Sequence, residues 1–588
     1  MGRRAVGRRA GGIAGMNTIM GLSRADCRGC YKCIRACPVK SLSCLDEQVR
    51  VVDGECIYCG RCLLICPQNA KYIRDDLEKV RSAIAAGEKL YASVEPSCQA
   101  AFPGVDMGKM ASALSALGFV HAEPVTVGAA QVTRAYDAAS VSWKAPNLIT
   151  TACPSIYLLV QRHYPELVEQ LAPTVSFAVA HARIIRQIYG PRARVVSIGP
   201  CISQKHDAQD GESGNALYAS LTFSELAAWF ASAGIDPREM KRKPMGTVAY
   251  DYFARPGGVI HHLAKETRRK WECVAVDGVD RCAEVLESVR RDGLSGYFLE
   301  LTACAGGCLG GPILRMMNVP YLTAKDALVH GPRQETPGPR LLTQGVEADL
   351  SRSFRKLAPR RSPIREEEIA SVLARMGKTS VKQELNCGCC GYSTCREKAV
   401  AVIHGKADIS MCVPYMRELA ESMSATVVEN IPTGVLILNE KLQVEHINPA
   451  AVALLHVRGE ICGRSVGALL PSNDFYQVLS TGENILHHKV RYEKPGIVVS
   501  QSVVRVQSAR TVIVLLEDIT HKELESEKHR VMTEETAQFA REVVEKQMRV
   551  VQQIAGLLGE TAMETKLALS KLTNTLVEQA GEEHDASH

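Results

Sequence analysis

Cys27-Arg-Gly-Cys30-Tyr-Lys-Cys33-Ile-Arg-Ala-Cys37-Pro38 returns as Cys56-Ile-Tyr-Cys59-Gly-Arg-Cys62-Leu-Leu-Ile-Cys66-Pro67, so the chain carries C-x2-C-x2-C-x3-C-P twice. Each run sets three thiolates on one tight loop that wraps a corner of an iron–sulfur cubane, and the proline stops continuation beyond the fourth cysteine. Zinc is the alternative for isolated cysteine pairs, and two intact copies at this spacing argue against it.

Residues 23–78, which hold both runs, resemble bacterial two-cluster ferredoxins over their whole length. The resemblance implies that the fourth cysteine of each run crosses to the other cluster. Cys27, Cys30, Cys33 and Cys66 then hold one [4Fe–4S] cluster, and Cys56, Cys59, Cys62 and Cys37 hold the second. Cys44 lies outside both runs and reads as a packed thiol.

Working outward, 588 residues are too many for one core, so several domains are expected. A net charge of +6, from 70 Lys and Arg against 64 Asp and Glu, is small and dispersed, which excludes an extended nucleic-acid groove. No run of apolar residues is long enough to span a membrane. The basic opening MGRRAVGRRAGGIAGMNTIMGL is superficially leader-like, but its apolar part is short and broken by glycine, with no small-residue cleavage site before Cys27. Residues 1–22 therefore read as a disordered extension, with Met16 a candidate initiator. Cysteines in metal spacings on so long a chain fit a reducing cytoplasm rather than a disulfide scaffold.

Residues 79–330 read as α/β. Strand-like runs at 90–94, 147–151, 194–198 and 296–301 alternate with helical stretches such as 107–117 and 224–233. Three of the four strands end just before a cysteine flanked by proline or glycine, where an open α/β sheet places its active groups. Thr151-Ala-Cys153-Pro154, Gly199-Pro-Cys201-Ile-Ser-Gln-Lys205 and Glu300-Leu-Thr-Ala-Cys304-Ala-Gly-Gly-Cys308-Leu-Gly-Gly311 resemble the signature of [FeFe]-hydrogenases. That resemblance covers roughly residues 85–325 and implies a [4Fe–4S] cubane on Cys153, Cys201, Cys304 and Cys308, with Gly306-Gly307 letting the backbone pass close to it.

The departures from that signature matter as much as the matches. Ala152 stands where the family has a proton-passing cysteine, and Gln204 where it has a lysine reaching a cyanide ligand. Lys205 next door would substitute only if the loop shifted. Gly199 and Thr302 stand where methionines pack a two-iron subcluster. Supporting groups of this kind cost about 10–100-fold each when lost, so a two-iron subsite is not expected. Cys98, Cys273 and Cys282 lack motif partners and read as ordinary buried thiols.

Residues 331–362, rich in Pro, Gly and Arg, read as a linker, followed by a helix near 366–376. In residues 363–418, Cys387-x2-Cys390-Gly-x3-Cys395-x16-Cys412-Val-Pro resembles the single-cluster domain of Rnf-type electron-transfer subunits and corrinoid proteins. The resemblance implies a fourth [4Fe–4S] cluster on Cys387, Cys390, Cys395 and Cys412. Cys389 is a competing ligand there, and zinc an alternative metal.

Residues 420–520 resemble a PAS domain, on 428–438, on Ile447-Asn-Pro-Ala-Ala451, and on 513–520 with its closing Asp518-Ile519-Thr520. Its cofactor is left unassigned. His446 and His456 are candidate haem ligands, and dimerisation without a cofactor is the default reading. Residues 521–588 read as a signalling helix or coiled coil, with a near-heptad seam at Val551, Ile554, Leu558, Ala562, Thr565, Leu569, Leu572 and Leu576. An amphipathic helix docked on its own domains is the alternative. No kinase or phosphatase box follows, so output through another protein is expected.

The expectation is a multidomain α/β and α+β chain holding four [4Fe–4S] clusters, with no catalytic residue assigned. Its domain order resembles the sensory members of the [FeFe]-hydrogenase family. That implies a cytoplasmic, homodimeric redox or hydrogen sensor, with a redox donor or acceptor such as ferredoxin and a kinase, phosphatase or cyclase as partners. The alternative is a [FeFe]-hydrogenase or another ferredoxin-linked oxidoreductase.

Overall fold

The computed structural model describes residues 18–23, 25–45, 48–244, 251–331, 345–359, 363–471, 473–493, 496–506, 511–555 and 569–574. The chain divides into two compact units, Met1–Met416 and Arg417–His588. Residues 1–17, with Met16, lie outside the described residues.

In the first unit each cysteine run leads into a short helix, Lys32–Ala36 or Arg61–Ile65, and the residue before each helix, Tyr31 or Gly60, takes a left-handed backbone. The hairpin Leu42–Leu45/Gln48–Val51 and the antiparallel pair Met20–Leu22/Lys71–Ile73 frame the two loops. Beyond them lie two parallel sheets. One has four strands in the order His121–Pro124, Leu90–Val94, Arg194–Gly199, Leu217–Thr222. The other has three, in the order Glu272–Asp277, Tyr297–Thr302, Leu148–Ile149. Every residue of Leu90–Val94 is buried, as expected of a strand covered on both faces by crossover helices.

The strand expected over 147–151 contracts to Leu148–Ile149. Thr150 N still donates to Leu299 O at 3.0 Å, but Thr151 N turns to the hydroxyl of Tyr136 at 2.9 Å, and its own hydroxyl donates to Thr174 O. The stretch expected to be a linker is in part structural. Val175 N donates to Leu350 O, and the Arg352 side chain is buried against Asp207 and Asp210. Proline and arginine content masked the spaced apolar residues Val346, Leu350 and Phe354, which pack on the core.

The second unit is built on an antiparallel sheet of five strands, Val444–Ile447, Gly434–Leu438, Thr511–Asp518, Ile497–Val506 and Ile485–Tyr492 in that order. Asn448 is fully buried and ties its entry together. It accepts from Val435 N and Ala451 N and donates to Val428 O and Thr433 O. After the sheet, Thr520–Ala555 forms one helix of 36 residues. Asp518 accepts from both the backbone and the hydroxyl of Thr520, which also accepts from Val498 N, so the Asp-Ile-Thr turn clamps the start of the helix to the sheet. Of the expected seam, Leu558, Ala562, Thr565 and Leu576 lie outside the described residues. Among the described residues no helix is long and apolar enough to cross a membrane.

Candidate metal centre

Both parallel sheets point the C-terminal ends of their strands at one place. Val94 leads into Glu95, Gly199 into Cys201, Thr302 into Cys304 and Cys308, and Leu148–Ile149 into Cys153. Cys153 is the N-cap of Pro154–His163, with proline at the first helical position, and the backbone N–H groups of Ala303, Ile156 and Ser155 partly offset the effect of burial on its thiol. Burial pushes the thiols of Cys153, Cys201, Cys304 and Cys308 up, Cys201 to about 12, and the last three also feel one another or Cys153. Four half-buried thiols converging this way carry strong charge repulsion as bare thiolates. A cluster of several iron cations relieves it, so the donor set fits a cubane. Gly311 lies against the same group, since a Cβ there would stand 3.7 Å from Cys304 Sγ.

Gly306 and Gly307 do take positive φ, 86° and 66°, but the close approaches they permit are to the Tyr321 ring and Ala254 O. Their role in the structure is to fold the loop back on the protein.

Two of the four altered positions, Gly199 and Gln204, form one connected arrangement with Glu95. Gly199 is needed because Glu95 occupies the space above it; a Cβ would meet Glu95 Cγ at 2.5 Å and Gln204 Oε1 at 3.4 Å. Gln204 donates from Nε2 to Glu95 Oε1 at 2.7 Å and accepts from Ser197 Oγ at 2.7 Å. Burial pushes the Glu95 carboxyl up to about 7 while the Gln204 hydrogen bond pulls it down, and the carboxyl lies within electrostatic reach of Cys308. Lys205 does not replace the missing lysine. Its fully buried ammonium is held by Glu225 at 2.9 Å, Asp76 at 3.3 Å and Ser220 O at 2.7 Å. Thr302 leaves its hydroxyl oxygen buried without a hydrogen-bond partner. Glu95 escaped the sequence reading because no motif marks it; its position just past a fully buried strand was the only signal.

The two cysteine runs reassemble across the sequence. Cys33 feels Cys66, Cys27 and Cys30, while Cys62 feels Cys56, Cys59 and Cys37. The fourth cysteine of each run thus stands with the other run's three. The second loop abuts the strand-end cysteines: a Cβ on Gly60 would meet Ile202 Cδ1 and Pro312 Cγ at 2.6 Å, and Cys304 feels Cys59. Arg61 pairs with Asp280 at 2.6 Å, and Arg162 donates to Asp53 O at 2.6 Å, which seats that loop. Cys44 is buried beside Cys27 and Cys33, and Cys98 and Cys282 are also buried, while Cys273 is half-buried.

Cys387, Cys390, Cys395 and Cys412 line one cleft holding about 360 Å3 of empty space, mouth included, and Cys389 is outside that lining. Cys389 is exposed, and its backbone N–H holds the Cys387 thiol below its ordinary value. Among the described residues no three His, Cys, Asp or Glu side chains converge at single-ion distance. The buried Lys398 ammonium stands beside Cys390 and Cys412 and donates to Asp408 O at 2.5 Å. This segment docks on the ferredoxin-like module: Lys40 just after the first run and Arg35 within it donate to Gly391 O at 2.8 Å and Cys389 O at 2.6 Å, and Lys406 pairs with Glu55 just before the second. In the second unit His446 and His456 are both exposed, away from the apolar interior of Leu436, Phe475 and Val514.

Residues 88–312 match the family model described as "Iron only hydrogenase large subunit, C-terminal domain". The domain is hydrogenase-like. Around it, residues 19–67 match a 4Fe–4S dicluster domain, 383–414 an Fe–S cluster model, and 422–485 a PAS domain. The chain is therefore a hydrogenase-related iron–sulfur protein with a PAS domain.

Among curated proteins it is 26% identical over 331 residues to the NADP-reducing hydrogenase subunit HndD of Solidesulfovibrio fructosivorans, covering 45% of this chain and 56% of that protein. It is 28% identical over 264 residues to the periplasmic [Fe] hydrogenase large subunit of Nitratidesulfovibrio vulgaris, covering 35% of this chain and 62% of that one. The chain thus spans about three fifths of the length of these relatives. A solved [FeFe]-hydrogenase, HydA1 of Chlamydomonas reinhardtii, aligns at TM-score 0.39 and 15% identity, covering 49% of this chain and 100% of that one.

Proposed function

We propose that the chain is a cytoplasmic iron–sulfur redox or hydrogen sensor whose hydrogenase-like domain lacks a competent two-iron site. Four [4Fe–4S] clusters would sit on the sixteen cysteines named above, in residues 23–78, 79–330 and 363–418. The PAS domain at 420–520 and the helix from 521 would pass their state to a kinase, phosphatase or cyclase, within a homodimer joined by a coiled coil. When bound, the clusters supply one-electron transfer, and a donor or acceptor such as ferredoxin would exchange electrons with them.

One observation carries this reading. Glu95 and Gln204 hydrogen-bond to each other over Gly199, and Lys205 is committed to Asp76 and Glu225. Glu95, Gln204 and Lys205 are thus each satisfied by protein groups, and the ammonium that a cyanide ligand would need is sequestered in a buried ion pair. Removing either carboxylate to free it costs about 3–5 kcal/mol.

The enzyme reading, hydrogen uptake or evolution, is favoured by one feature: Glu95, pushed up to about 7 near Cys308, is a group that can hold a proton. Anaerobic purification after co-expression with the maturation enzymes separates the two. Sensing predicts about sixteen irons per chain, no cyanide or carbonyl infrared bands and no hydrogen turnover. About eighteen irons with those bands and turnover overturn it.

A further inference from the structure

A second cleft opens at the N-terminal edge of the four-stranded sheet, where Arg194–Gly199 and Leu217–Thr222 begin, opposite the edge that carries the cysteines. It holds about 620 Å3 of space, mouth included. Its lining contains Lys79, Arg186, Arg192, Arg194 and Tyr218, and no carboxylate. The cavity proper, about 290 Å3, stands at the lower edge of the size range of small-molecule sites, which suits a compact ligand.

The cations are held mainly by neutral groups. Arg186 is pinned by carbonyls, from Nη2 to Pro191 O at 2.9 Å and from Nη1 to Asn215 O at 3.1 Å. Lys79 donates to Tyr218 O at 2.6 Å and lies 4.3 Å from the centre of that ring, while the Arg194 guanidinium lies 4.5 Å from it. Arg194 also pairs with Glu88, which is outside the lining, and Arg192 is exposed with no hydrogen bond or ion pair among the described residues. Four positive charges around one recess raise its energy when empty, and an anion lowers it.

We propose that this cleft binds a small phosphate-bearing ligand. Lys79 and Arg192 offer the free N–H donors, while Arg186 and Arg194 supply charge already fixed in place. Four positive charges are matched better by the multiple charge and several acceptor oxygens of a phosphate than by the single charge of a lone carboxylate. The concavity favours a compact ligand over a nucleic-acid strand, which needs an extended basic track. The site is independent of whether a two-iron group is ever loaded.

The test is equilibrium dialysis of the full, cluster-loaded chain against radiolabelled inorganic pyrophosphate at about 100 mM salt, where surface attraction is screened beyond about 10 Å. The expected result is saturable binding of one pyrophosphate per chain, weakened at least tenfold by Lys79→Gln with Arg192→Gln and unchanged by Arg290→Gln on a separate surface. Both tested side chains are exposed, so the paired variant should fold, and an unchanged cluster absorbance verifies that it has. The proposal is overturned if pyrophosphate does not saturate below 10 mM, if the paired variant binds it as tightly as the parent, or if only long polyanions such as heparin or nucleic acid bind.

Discussion

Gly199→Ala is the sharpest probe of the arrangement beside the cubane cysteines. The added methyl would stand 2.5 Å from Glu95 Cγ, 3.3 Å from its Cβ and 3.4 Å from Gln204 Oε1. Carbon atoms in contact settle at about 3.5–4.0 Å, so Glu95 must retreat by roughly 1 Å. Overpacking of this kind costs about 1–3 kcal/mol. The retreat also breaks the 2.7 Å hydrogen bond from Gln204 to Glu95, and leaving those buried groups unpaired adds about 1–3 kcal/mol. Together the single substitution should destabilise the domain by roughly 2–6 kcal/mol. In a Glu95→Ala background the obstructing carbon is gone, and the same change should cost less than about 0.5 kcal/mol, a coupling well above the limit for independent sites. The assay is the urea midpoint for loss of iron–sulfur absorbance under anoxia, measured for the parent, both single variants and the pair. Equal losses from Gly199→Ala in both backgrounds would refute the claim that Glu95 fills the space.

Three further outcomes follow from the same geometry. Glu300 is buried and pushed up to about 7 even though backbone N–H groups from 257 to 260 pull it down. Its folded-state pKa therefore lies above the unfolded value of about 4.3, so its stabilising contribution is full below that value and fades as pH rises through 7. The midpoint of the parent should fall between pH 5 and 8, and Glu300→Gln should flatten that fall. Lys398→Met removes a buried positive charge beside Cys390 and Cys412, so the cluster held there should become harder to reduce, read as a more negative midpoint in a spectroscopic redox titration. Arg352→Met strands Asp207 and Asp210 in the interior and should cost about 3–5 kcal/mol, whereas a freely solvated linker would lose almost nothing in the same unfolding assay.

Much of the site was legible because thiolate clusters impose short, rigid spacings. Cys27 to Cys37 and Cys56 to Cys66 carry their geometry in local sequence, and so does Cys304-x3-Cys308. The strands before Cys201 and Cys304 were equally legible, since parallel strands covered on both faces read as continuous apolar runs. Glu95 was not legible. A carboxylate after a strand is unremarkable until the tertiary structure sets it over Gly199 and in a hydrogen bond with Gln204, which is 109 residues away in the chain. The packing of 345–359 was hidden for a similar reason, because a Pro- and Arg-rich composition does not reveal that Arg352 meets two buried-side carboxylates.

By itself the sequence determined which cysteines stand in cluster spacings, the order of the iron–sulfur, hydrogenase-like and PAS segments, and the presence of Ala152, Gly199, Gln204 and Thr302 where the hydrogenase signature has other groups. The tertiary structure alone decided what those losses mean locally. Motif spacing reports contacts made within a loop. The commitment of Lys205 to Asp76 and Glu225, and of Gln204 to Glu95, depends on strands and helices far apart in the chain being brought together by burial.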